Sequence, residues 1–71
     1  MKYLIVIEKA LANYSAYVPD LPGCIATGKT LRQLKKNIRQ AIDFHIDGLK
    51  QDGLQVPRPS TSSDYLELKV A

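Results

Sequence analysis

The stretch from Gly23 to Thr30 reads G-C-I-A-T-G-K-T, a literal match to the phosphate-loop pattern G-x-x-x-x-G-K-[ST]. Such a loop holds a nucleotide by curling its variable residues so that backbone N–H groups converge on phosphate oxygens. It also follows a buried strand in a domain large enough for a parallel sheet. Here Pro22 and a tight turn precede Gly23, and Cys24, Ile25, Ala26 and Thr27 are strand-like residues. The acid that would hold magnesium after an apolar run is Glu8, which lies upstream of the loop. Each residue has a separate structural use: Gly23 for a turn, Gly28 for a strand exit, Thr30 for a helix cap. The match is read as accidental, and no nucleotide or other cofactor is expected.

The remaining reactive side chains form no constellation. Cys24 and His45 are the types of a nucleophile–base pair, but no signature surrounds them. A cysteine in a short strand reads as core. His45 lies on an apolar helix stripe beside Ile42, Ile46 and Leu49 and reads as a half-buried packing residue, with a pH-sensitive contact as the alternative. Asp43 and Asp47 share a polar helix face, while Glu8, Asp20 and Asp64 are scattered without metal-ligand spacing. No catalytic residue and no metal site is expected. One charged feature is more organised: Arg32, Lys35, Lys36 and Arg39 recur at i, i+3, i+4 and i+7 just after Lys29. This stripe reads either as a solvated face or as a docking surface for an anionic partner. No aromatic residues interleave with it, which argues against single-strand stacking.

The elements that position these residues follow from pattern. Residues 2–9, K-Y-L-I-V-I-E-K, are rich in β-branched and aromatic types and predict a strand. Residues 14–18 predict a second strand after Asn13, closing a hairpin. Pro19 ends it, because proline cannot donate to a ladder. A turn through Asp20, Leu21, Pro22 and Gly23 leads to a third strand, residues 24–27. Thr30 with Gln33 makes a capping box for one long amphipathic helix, and Gly53 is its expected C′ residue. The stretch V-P-R-P-S-T-S-S is a linker. Residues 65–70, Y-L-E-L-K-V, alternate strictly, with Leu66, Leu68 and Val70 on one face, and predict a fourth strand. The class is α+β, in the order β-β-β-α-β: one mixed four-stranded sheet with a single long helix packed on one face.

Size bounds these readings. A chain of 71 residues makes one small domain, residues 1–71, and a core that thin needs a staple. Cys24 is the only cysteine, so no disulfide closes within the chain. Oligomerisation is the device left, and a homodimer or higher oligomer is expected. The apolar run Leu4 to Ile7 is too short for a signal peptide or a membrane span, so no membrane partner is expected and the location is read as cytoplasmic. The net charge of +3 permits an anionic partner without requiring one.

The segment Y-S-A-Y-V-P-D-L-P-G-C, Tyr14 to Cys24, resembles the HicB family of small antitoxins. The likeness continues through G-K-T at 28–30, the long helix with Ala41 and Ile42, D-G-L at 52–54 and V-P-R-P-S at 56–60. The resemblance implies a degenerate RNase H-like sheet without that fold's catalytic carboxylates. It implies the antitoxin of a type II toxin–antitoxin pair, one that binds and sterically inhibits a HicA-type mRNA-cleaving toxin. Longer members carry an added DNA-binding domain, so direct DNA binding is not expected of these residues alone, whereas RNA remains open. The turn Pro19, Asp20, Leu21, Pro22 and Gly23 is the candidate protein contact, pairing a fixed backbone with an outward Leu21. The alternative is a nucleic-acid-binding accessory domain using Lys29, Arg32, Lys35, Lys36 and Arg39. A remnant RNase H-type nuclease is a third reading.

Overall fold

A computed structural model describes residues 1–70. Three strands and one helix form in chain order: β1 (Val6–Lys9), β2 (Tyr14–Tyr17), β3 (Ile25–Gly28) and α1 (Leu31–Gln51). The sheet is antiparallel throughout, in the order β1-β2-β3. Ile7 stands opposite Ala16, which stands opposite Ala26, so these residues share one sheet face. The adjacent row, Val6, Tyr17 and Ile25, belongs to the other face, because successive side chains alternate across a strand. Helix α1 covers β3 and β2. Ala16, Val18, Leu21, Cys24, Leu34 and Ile38 form the buried core between them, with Tyr3, Ile5, Ile42 and Ile46 packed at its margin.

The helix begins and ends for reasons visible in the chain. Thr30 is extended, and its Oγ1 accepts the Gln33 amide at 3.0 Å, which satisfies a donor that has no intrahelical partner. The reciprocal half of the capping box does not form. The Gln33 side chain donates instead to Asn37 Oδ1 at 2.9 Å, and Asn37 Nδ2 donates to the Thr27 carbonyl at 2.7 Å, tying the helix to β3. At the other end Gly53 takes φ 69°. Its amide bonds the Lys50 carbonyl while Leu54 reaches back to Leu49, the Schellman pattern expected of a C′ glycine. Removing the Thr30 hydroxyl in Thr30→Ala should cost about 1 kcal/mol. Thermal unfolding would then fall by roughly 4–8 °C, whereas an unchanged midpoint would place the helix start elsewhere.

Two expectations about strands are corrected. The first strand is shorter than residues 2–9, with ladder pairing confined to Val6–Lys9. The fourth strand, and with it the mixed sheet, is not formed within the chain. Residues 54–70 carry no regular structure, and Tyr65, Leu66, Leu68 and Val70 are all largely exposed. Alternation fixes which face of a strand is apolar, but a strand exists only beside another. The tail finds no partner here.

Candidate partner-binding surface

The turn between β2 and β3 is built from two successive reversals. Leu21 N–H donates to the Val18 carbonyl, Cys24 N–H donates to the Leu21 carbonyl, and Val18 N–H donates across to the Cys24 carbonyl. Pro22 supplies a fixed φ for the second reversal, and Gly23 follows at φ 85°, a conformation that side chains with a Cβ resist. The expected outward Leu21 is corrected: its side chain is fully buried, among the largest in the core. The double turn carries Leu21 inward, into the core cluster that also holds Val18, Cys24 and the helix residue Leu34. Pro22 and Gly23 are exposed, and Pro19 and Asp20 are half-buried.

The Asp20 side chain bonds the distant linker and not its own turn. Its carboxylate accepts four hydrogen bonds from residues forty positions on: the Ser60 amide and hydroxyl at 3.0 Å each, and the Thr61 amide at 3.1 Å and hydroxyl at 2.6 Å. The Tyr3 hydroxyl donates to the Pro57 carbonyl nearby in the same linker. Spacing could not reveal this clamp, because a local pattern carries no information on a contact so remote in sequence. The Thr61 hydroxyl and then the Ser60 and Thr61 amides hold the Asp20 carboxyl down at about 2, below its ordinary 3.8. A depressed carboxyl pKa stabilises the clamped state above the ordinary value, and that contribution is lost as pH falls through the folded one. Acidification from 3.8 towards 2 should therefore release the linker. The amide shifts of Ser60 and Thr61 should move over that window and move little above it. Shifts insensitive to pH there, or unaltered in Asp20→Asn, would contradict the clamp.

The phosphate-loop residues are committed to the sheet. Ala26 and Thr27 pair opposite Ala16 and Ser15 in an extended ladder, not a curled cradle of inward N–H groups. Thr30 caps α1, and Lys29 points to solvent. Gly28 owes its identity to close packing. A Cβ there would stand 2.6 Å from the Leu34 nitrogen and 2.8 Å from its Cα. Cys24 is buried, and burial pushes its thiol pKa up, away from the thiolate form a nucleophile needs. His45 is half-buried in the helix. Among the described residues no cluster of three or more His, Cys, Asp or Glu side chains could hold a metal ion, and no helix is long and apolar enough to cross a membrane.

Two surfaces near the predicted site residues could meet a partner. Lys29, Arg32, Lys35, Lys36 and Arg39 are all exposed, and the first turn of α1 contains no acid. The sheet face away from the helix presents the row Val6, Tyr17 and Ile25, with Ile25 69% exposed. Tyr17 ends β2 and Ile25 begins β3, so both flank the Pro22–Gly23 turn. The period-two pattern of the strands held the signal for this row, since it assigns Tyr17 and Ile25 to the face opposite Ala16 and Ala26.

Fold and residues together agree with what comparison with known proteins finds. Residues 3–69 match the family described as HicB-like antitoxin of bacterial toxin–antitoxin systems. The chain belongs to that family. It is 39% identical over 66 residues to an uncharacterised 14.9 kDa protein of Haemophilus phage HP1, spanning 93% of this chain but only half of that relative's length. It is 41% identical over 59 residues to a UPF0150 protein of Thermoplasma acidophilum, covering 82% of this chain and 86% of the other. Among solved structures it superposes on a chain of a HicA3 and HicB3 toxin–antitoxin complex with a TM-score of 0.72 and 33% identity, over 84% of this chain and 70% of that one.

Proposed function

We propose that this chain is the antitoxin of a type II pair and silences a HicA-type, mRNA-cleaving toxin by steric contact. The observation that carries the reading is the family match over residues 3–69, joined to the likeness to a chain solved within a HicA3 and HicB3 complex. Inhibition by contact requires surface, not chemistry, and the exposed Tyr17 and Ile25 supply it. The contact we assign is the β2–β3 turn, Pro19, Asp20, Pro22 and Gly23, together with Tyr17 and Ile25 beside it. Leu21 contributes from within, as the peg that fixes the turn's shape. Exposed apolar side chains around a rigid backbone suit a protein partner, because burying them releases water at little conformational cost.

A second reading rests on the five exposed cations of 29–39, which could bind RNA phosphates. The two separate cleanly. Ile25→Arg should weaken inhibition of a co-encoded toxin's RNA cleavage at least roughly tenfold, the effect of a charge placed in an apolar contact. The paired reversal Arg32→Glu, Lys36→Glu should leave that inhibition intact. The reverse pattern, with RNA binding by the antitoxin alone that falls steeply with salt, would transfer the function to the basic face.

A further inference from the structure

The chain carries both a strand without a sheet and a sheet edge without a strand. Because the strand order is β1-β2-β3, the outer edges of β1 and β3 are both open, and an unpaired edge is a template for another strand; only the β1 edge adjoins space that the helix leaves unfilled. Beside it lies a groove of about 410 Å³, lined by the apolar Met1, Ile38, Ile42 and Ile46 with Tyr3, and edged by the charged Arg39 and Asp43. It exists because α1 covers β3 and β2 and leaves the β1 side of the helix unfilled. A strand added at the β1 edge would place one alternating face in this groove. Residues 65–70 have such a face, Leu66, Leu68 and Val70, and these side chains are 77–86% exposed.

The same chain is poorly placed to fill its own groove. Its linker is bonded at Pro57 to Tyr3, on the β1 side, and then at Ser60 and Thr61 to Asp20, in the β2–β3 turn. The tail root therefore runs away from the β1 edge, and three residues, 62–64, separate the clamp from the apolar segment. The chain extends 53 Å along its longest axis, with a radius of gyration of 14.5 Å, against roughly 11 Å for a compact chain of this length. Its accessible surface is 6256 Å², whereas a compact monomer of this mass exposes roughly 4,400 Å². The excess is more than twice the ~800 Å² that each partner of a stable dimer typically buries.

We propose that residues 65–70 of one copy form the fourth strand of a second copy, seating Leu66, Leu68 and Val70 beside β1 in the groove under Ile42 and Ile46. Two-fold symmetry makes the exchange reciprocal, so one arrangement covers both edges and both grooves. The free tail, residues 62–70, spans roughly 30 Å when extended, enough to reach a neighbouring sheet. The Asp20 clamp sets the direction of departure, and so favours exchange over closure.

The test is light scattering and isotope-filtered NMR on the full chain. The wild type should have a dimer's mass at micromolar concentration. In a mixture of differently labelled chains, Leu68 methyl protons should show contacts to Ile42 and Ile46 only between chains. Leu68→Asp, at a position with no packing role inside one copy, should raise the dimer dissociation constant roughly tenfold or more, with helical circular dichroism unchanged. A monomeric wild type, Leu68 contacts arising within one chain, or an unchanged mass in Leu68→Asp would overturn the exchange. So would a Leu68 ordered only when a toxin is added, which would assign the groove to that partner. The mass and interchain-contact measurements use no toxin, so their failure leaves the antitoxin reading separately testable.

Discussion

Leu21→Asp is expected to unfold the domain. Leu21 is wholly buried and contacts a core of only a few residues. Deleting a buried leucine side chain costs ~2–5 kcal/mol through lost transfer energy and the cavity left behind. A carboxylate in its place adds desolvation, or the energy of protonating it, for several kcal/mol more. The whole domain has roughly 4–11 kcal/mol of stability at 0.05–0.15 kcal/mol per residue. The substitution therefore removes most or all of it, and no cooperative thermal transition should remain. Leu21→Ala should retain a transition at lower temperature. A near-native melt for Leu21→Asp would mean that the side chain points outward after all. Failed toxin rescue by this variant would report loss of fold, not of a contact, which is why Ile25 is the residue to change for function.

The second large effect is expected at Gly28. The atoms that a new Cβ would meet are backbone atoms of Leu34, at 2.6 and 2.8 Å, and they cannot rotate aside. Gly28→Ala must push the first turn of α1 off β3, stretching the Asn37 bond to the Thr27 carbonyl and displacing Leu34 from the core. Overpacking of this kind costs ~1–3 kcal/mol. Gly48→Ala is the internal control. A Cβ there meets nothing within 4 Å, so the better helix former should stabilise by up to ~1 kcal/mol. Urea titration of the two variants should give midpoints shifted in opposite directions. A Gly28→Ala midpoint equal to the native one would show that the helix can retreat freely.

How far the sequence carried these conclusions depends on the range of each signal. Thr30, Gly53 and the strand residues act on their immediate neighbours, and the helix with its two caps was readable from them. The glycine-rich match was separable from a phosphate loop for the same reason, since each of its residues had a local use. Leu21 lies inside, against expectation, because turn chemistry specifies backbone angles and says nothing about which side of a double turn a side chain takes. The role of Asp20 is invisible to local pattern because its partners lie forty and forty-one positions away. The segment 65–70 has the alternation of a strand, yet alternation names a face and not a partner. The row of half-buried Val6 and exposed Tyr17 and Ile25 is implicit in the strands, but the register is needed to bring the residues together.

The proposed antitoxin role requires a physical complex between this chain and a HicA-type toxin, for which a protein encoded beside it is the candidate. The direct measurement is titration of the purified chain into that neighbour while cleavage of messenger RNA is followed. A contact inhibitor works by occupancy, so cleavage should fall linearly with added chain and stop at a fixed stoichiometry, and the two proteins should co-elute. Co-expression should relieve growth arrest in the same proportion. Cleavage that continues unchanged at excess chain, with no co-elution, would contradict the account.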